Sequence, residues 1–281
     1  MPEGMLSGTL EVGSVRLLVL IAFLAASASS LPAAEVARPH FVRTRATKQK
    51  PGGSFQTAAV RYHKADAPVD VILCAVVHLG EPRYFGRIQK LLSQSDRVLY
   101  EVVQIGNDDH PVPASARGFD PASMLANLLG LVHQATALDY EQANFVWADI
   151  TFDELVDKGG QDLLQGLLSG GPSAAADIVA GSVASLLVGM MDAKLARAQL
   201  ADVLAKAFDD LPALLGDQLT RPLIQMRNQR LMSVVDRELG KLPHGTLTIL
   251  YGAGHMPDLD RTLQARGYQP VGTRWLSAWT Y

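Results

Sequence analysis

The stretch 69-VDVILCAVVHLGEPRYFGRIQKLLSQSDRVLYEVV-103 decides the fold class. It opens with Val69 to Val77, a near-continuous apolar run of strand length that suits the interior of a sheet covered on both faces. His78-Leu79-Gly80 ends the run. Glu81 and Pro82 then supply first-turn residues for a helix whose apolar stripe is Tyr84, Ile88, Leu91 and Leu92. Arg97 to Val103 reads as a second strand. Strand, loop, helix and strand in one stretch make a βαβ unit, with a right-handed crossover expected. The expectation is an α/β fold: a central, mostly parallel β-sheet flanked by helices, with a large helical insertion.

A second strand–turn–helix unit lies near the end, in 246-TLTILYGAGHMPDLDRTL-263. Thr246 to Leu250 is its strand, Asp258 to Arg266 its helix and Gly267 the cap. Outside these units, Thr57 to Tyr62 reads as a strand, and Tyr268 to Tyr281 as one or two more. The middle, about residues 120–240, reads as mostly helical. Met124 to Ala137 is an amphipathic helix, Phe145 to Ala148 a short strand, and Thr151 with Glu154 a capping box. The apolar run Ile178 to Met191 lies between Asp177 and Asp192 and is shorter than the ~20 residues of a membrane span. It reads as a buried helix, or as a hairpin touching a membrane or a partner. Ser169-Gly170-Gly171-Pro172 breaks the chain before it, so 173–220 reads as a helical insertion or lid.

The first residues set the compartment. Arg16, the apolar run Leu17 to Ala26 and the small residues Ala26-Ser27-Ala28-Ser29-Ser30 follow the order of a secretory signal peptide. The expected organisation is a cleaved signal over 1–34, a linker over 35–56 and one α/β domain over 57–281, in a protein exported to the periplasm or beyond. An uncleaved leader would be a second point of membrane contact. Arg43, Arg45, Lys48 and Lys50 read as part of the solvated linker. Of 281 residues, 48% are hydrophobic and the net charge is −3, which provides for a core and gives no electrostatic footprint for nucleic acid. The single cysteine, Cys74, cannot form an intramolecular disulfide and reads as an inert core thiol.

His78 and His255 carry the strongest chemical signal. Each follows a candidate sheet strand and precedes a helix, which is the edge where open α/β sheets bind ligands. Glu101, in the run Leu99-Tyr100-Glu101-Val102-Val103, must end its strand, pair with a cation or bind a metal. Two imidazoles and a carboxylate could hold a divalent cation whose bound water becomes a hydrolytic nucleophile. They could equally activate water without metal, as in an esterase-like site. Arg227 and Asn228 sit on a helix as an oxyanion or carboxylate clamp, or as part of a charged face. Asp149 reads as a turn residue before it reads as a rim acid, His110 as a rim residue, and His63, His133 and His244 as structural or exposed.

The pieces Ala75-Val76-Val77-His78, Leu99-Tyr100-Glu101, Arg227-Asn228…Met232 and Gly252-Ala253-Gly254-His255 occur in an order that resembles the TraB/PrgY/GumN family, which includes the Tiki proteases. The resemblance spans about residues 57–281. It implies a relative of erythromycin-esterase-like and haem-binding ChaN-like folds, with Ala75 standing where the family has glycine. It also implies His78, Glu101 and His255 as ligands of a divalent ion (Zn, Mn or Co), and Arg227 and Asn228 as their polar partners at a catalytic site with Glu101. The activity so implied is a peptidase or another hydrolase acting on a peptide or small molecule. A haem- or peptide-binding protein without catalysis is the competing class.

Overall fold

A computed structural model describes residues 40–46, 52–104, 126–157, 160, 192–209 and 211–281. The α/β expectation holds. Strands β1 (Val42–Ala46), β2 (Gly53–His63), β3 (Val69–Val76), β5 (Arg97–Tyr100), β7 (Phe145–Trp147), β8 (Gly245–Gly252) and β9 (Gln269–Thr280) form one seven-stranded sheet. Its order is β1-β2-β3-β8-β5-β7, with β9 on the other side of β2. The four strands β3, β8, β5 and β7 run parallel, while β1, β3 and β9 meet β2 antiparallel. A two-stranded ribbon, β4 (Leu79–Gly80) with β6 (Val132–His133), stands apart.

The alternation along β3 and β8 explains the layers. Register partners Val71 and Leu247, Leu73 and Ile249, and Ala75 and Tyr251 share one face, and all six are buried. The opposite face is covered by α1 (Pro82–Leu92), whose buried side chains are Tyr84, Phe85, Ile88, Leu91 and Leu92. That stripe includes the one expected from sequence, and Glu81 stands at the N-cap. Helix α2 (Gln134–Ala137) is a single turn capped by His133, whose Nδ1 accepts from Ala135 N–H at 3.2 Å. After α3 (Ala193–Asp209) and α4 (Leu211–Thr220), a π-helical turn over Arg221–Gln225 leads into α5 (Met226–Leu239). Pro222 lies in that turn, where its missing N–H removes an ordinary helical bond. Helix α6 (Met256–Ala265) follows β8 through a 3₁₀ turn, Ala253–His255, and is tied to the sheet by Tyr62, which donates to Asp260 at 2.6 Å.

Several details differ from the sequence reading. β1 and the start of β2 occupy part of the range read as linker. The reason is local: Arg43 donates to Gln56 at 2.8 Å and stacks 3.9 Å from the Trp275 ring, so its charge sits on the sheet and not in solvent. Within the range read as one helix, Gly130 takes φ 60° and turns the chain into β6. Ala196, Leu200, Ala201, Leu204 and Phe208 of α3 join the main core, so this part of 173–220 is structural. The tail, read as one or two strands, forms the single strand β9. The capping box forms as read: Thr151 N–H donates to Glu154, and Glu154 N–H to Thr151 Oγ1, each at 3.1 Å. Cys74 is fully buried, which pushes its thiol up to about 12. The leader, the run 178–191 and His110 lie outside the described residues. Among the described residues no helix is long and apolar enough to cross a membrane.

The central strand β8 starts at Gly245, where φ is 117° and an added Cβ would lie 2.2 Å from an Asp96 carboxylate oxygen. That same oxygen accepts from Thr246 N–H at 2.8 Å. Gly245→Ala therefore meets both backbone strain and a clash. Urea unfolding of the variant is expected to show a loss of about 1–3 kcal/mol.

Candidate functional site

The four parallel strands end at one edge, and each is followed within three residues by a polar side chain: β3 by His78, β5 by Glu101, β7 by Asp149 and β8 by His255. The strand ends are held in mutual register. Tyr251 donates through its hydroxyl to the Ala148 carbonyl at 2.6 Å, and Ala148 N–H donates to the Tyr100 carbonyl at 3.2 Å. Glu101 N–H donates to the Leu250 carbonyl at 3.2 Å, while Gly252 N–H donates to Glu101 Oε2 at 2.5 Å. Glu101 thus sits one residue beyond its strand. This resolves why a carboxylate appears within an apolar run.

Gly254, directly before His255, sits in close approach to α4. An added Cβ at Gly254 would lie 2.4 Å from Leu211 Cδ2 of α4. His255 itself is fully buried, with Tyr251 edge-on at 5.2 Å between ring centroids. Ala75, at the first motif's glycine position, is an ordinary buried strand residue opposite Tyr251.

From the other side, α5 inserts Arg227 and Asn228, both buried; they belong to the site and not to a charged surface. Arg227 Nη2 donates to Glu101 Oε1 at 2.7 Å and to Asp149 Oδ2 at 2.5 Å, and Nε donates to Asp149 Oδ1 at 2.9 Å. Its Nη1 is turned to His255 Nε2 at 3.5 Å, and that same Nε2 lies 3.5 Å from Glu101 Oε1. The Arg227, Glu101 and Asp149 side chains are 4%, 9% and 0% exposed, so the pairing takes place in a low-dielectric interior. Burial alone would lift the Glu101 carboxyl, but Arg227, then His255 and His78, hold it well below the usual carboxylate range. Burial likewise disfavours the Arg227 charge, yet Asp149 and Glu101 more than offset this and raise its pKa above that of an ordinary arginine.

Asn228 sets the histidine. Its Nδ2 donates to the Asp258 carboxylate at 2.8 Å, and a carboxylate can only accept, so the amide oxygen faces His255 Nδ1 at 2.7 Å. In its neutral form His255 therefore carries its proton on Nδ1 and its lone pair on Nε2, directed at Glu101 and Arg227. His78, half-buried, has its Nδ1 3.2 Å from Gln134 Oε1 and contributes to the field on Glu101. Its ring lies nearly parallel to that of His133, with centroids 6.1 Å apart.

The edge thus brings together Glu101, Arg227, Asn228 and His255, with His78 near enough to act on Glu101 electrostatically. Two further residues belong here. Asp149, read first as a turn residue, is the principal partner of Arg227, and its position just past a parallel strand was the signal for it. His133 is a buried cap beside His78. His63 is an exposed partner of Asp70, bonded at 2.7 Å. Among the described residues no three His, Cys, Asp or Glu side chains are grouped to hold a metal ion. The space between Glu101 Oε1 and His255 Nε2 faces a guanidinium, and a divalent cation there would have to displace it.

The depressed carboxyl predicts a pH dependence. Because its folded-state pKa lies below the ~4.3 of an unfolded glutamate, Glu101 favours the fold in full above that value. The contribution is lost as pH falls through the folded-state value. Urea titrations between about pH 5 and pH 2 should show a shallower loss of stability for Glu101→Gln than for the parent chain; parallel curves would contradict the pairing. No protein-family model, curated protein or solved structure matches the chain.

Proposed function

We propose that this protein is a hydrolase of carbonyl substrates, with peptide bonds first and small esters second. In this reading His255 and Glu101 activate water and Arg227 stabilises an oxyanion. One observation carries the reading. The imidazole of His255, fixed through Nδ1 by Asn228 at 2.7 Å, presents Nε2 3.5 Å from both a carboxylate and a guanidinium nitrogen. A structural histidine needs only one partner; this one has its tautomer set on one side and opposite charges on the other.

The steps follow from that geometry. A water hydrogen-bonded to His255 Nε2 gives up a proton to it as the water oxygen bonds to the substrate carbonyl carbon. The imidazolium so formed lies beside Glu101, and two carboxylates face the one guanidinium in the cluster, so the added positive charge is balanced. The carbonyl oxygen becomes an oxyanion that Arg227 Nη1, the nitrogen turned away from the carboxylates, can take as a charge-assisted hydrogen bond. Collapse of the tetrahedral intermediate breaks the bond to the leaving amine or alcohol, which takes the proton back from Nε2. Asp149 keeps the guanidinium in place throughout. A divalent ion of the kind the resemblance implies does not fit beside Arg227 as it stands, and no step passes through one. The order of motifs resembling the TraB/PrgY/GumN family supports a peptide substrate, and the leader read in residues 1–34 supports action outside the cytoplasm.

The test uses the purified mature chain with p-nitrophenyl esters and fluorogenic peptides. Hydrolysis is expected to persist in chelator. It should fall by about 10²–10³-fold in kcat in His255→Ala and in Arg227→Met. Absence of hydrolysis for both substrate classes, or activity unchanged in His255→Ala, would overturn the proposal. Loss in chelator with recovery on zinc, manganese or cobalt would replace this mechanism with a metal-dependent one.

A further inference from the structure

His78 and His255 are held by the same device on two unrelated elements. Asn228, on α5, grips His255; Gln134, the first residue of α2, grips His78. Gln134 clamps that residue twice, because its backbone N–H also donates to the His78 carbonyl at 2.7 Å. Its own amide is held at the far end, where Nε2 donates to the buried Tyr140 hydroxyl at 2.9 Å. The amide oxygen, Oε1, lies 3.2 Å from His78 Nδ1. The backbone around the clamp is fixed as well: β4, directly after His78, pairs with β6, directly before Gln134, through Leu79 opposite His133. Two short elements with little core of their own are thus stitched together at the point where His78 leaves the sheet.

We infer that Gln134 is a positioning residue of the site, and that it sets His78, like His255, as an Nδ1–H imidazole presenting Nε2 as a proton acceptor. The inference rests on the proposed hydrolytic site and adds a positioning residue to it. The choice of an amide is informative. A carboxylate at either anchor would fix the same tautomer but would also favour the imidazolium, whereas a neutral amide fixes the tautomer without adding a charge. Glu101, on the neighbouring strand end, already feels His78. Tyr140 acts one step further out, by anchoring the far end of the Gln134 side chain.

Long-range ¹⁵N–¹H correlation spectra of the full chain labelled at histidine test this directly. They are recorded as a pH series, and the tautomer is read from the spectra in which the rings are neutral. The parent chain is expected to show His78 and His255 both as Nδ1–H tautomers. Gln134→Met should move His78 alone towards the Nε2–H form, and Gln134→Glu should restore the Nδ1–H form. In the hydrolysis assay Gln134→Met should lower kcat by about tenfold or more with KM little changed. An Nε2–H tautomer for His78 in the parent chain overturns the inference even if Gln134→Met fails to fold, and so does a His78 tautomer indifferent to Gln134→Met. The spectra read the tautomer whether or not the chain hydrolyses anything, so failure of this inference and failure of the hydrolytic reading are separate results.

Discussion

Everything at the carboxyl edge of the sheet depends on one buried cation. Arg227 enters from α5 and binds carboxylates that follow two different strands, β5 and β7, while its remaining nitrogen faces the histidine that follows a third, β8. A guanidinium can do this because its donors form a planar fork that reaches several acceptors at once; an ammonium would act as a single point charge. The arrangement carries a constraint. Removing one member of a buried, hydrogen-bonded ion cluster leaves the others desolvated without compensation, typically at a cost of about 3–5 kcal/mol. The cluster therefore fixes where α5 sits against the sheet, and α5 in turn brings Asn228 to His255.

The same electrostatics connects fold to chemistry. With Asn228 holding Nδ1, the lone pair of a neutral His255 points into a space bounded by a carboxylate and a guanidinium. Opposite charges so close together favour a reaction in which positive charge forms on the ring while negative charge forms on a substrate oxygen. Neither group must be recruited for this, since both are already desolvated and oriented by bonds that hold the strand ends together, such as Gly252 N–H to Glu101 Oε2.

Much of this arrangement could be read from the chain. The apolar runs of β3 and β8 are unbroken because both faces of those strands are covered, and that is the pattern of a parallel sheet interior. His78 and His255 stand out because each interrupts such a run where a helix begins. Glu101 stands out because a carboxylate among apolar residues needs a partner. Asp149 was hard to weigh: β7 is only three residues long, so its strand signal is faint and the aspartate resembles a turn residue. β1 was missed for a different reason, since a strand rich in arginine looks solvated until its partners, Gln56 and Trp275, are known. Gln134 was invisible, because a two-residue ribbon and a one-turn helix leave no periodic signature, and its importance lies wholly in the tertiary contact with His78. That Arg227 is the cation bonded to both Glu101 and Asp149 is a tertiary contact that residue types alone do not carry.

The central claim, that Arg227 and Asp149 form the buried pair on which the edge is built, is tested most directly by a double-mutant cycle on folding stability. The variants are Arg227→Met, Asp149→Leu and their combination, measured by urea unfolding at neutral pH. The structure predicts a coupling of at least about 2 kcal/mol, with the double variant more stable than the sum of the two losses implies. Losses that add to within about 0.5 kcal/mol would show that the two residues act independently, and would contradict the account.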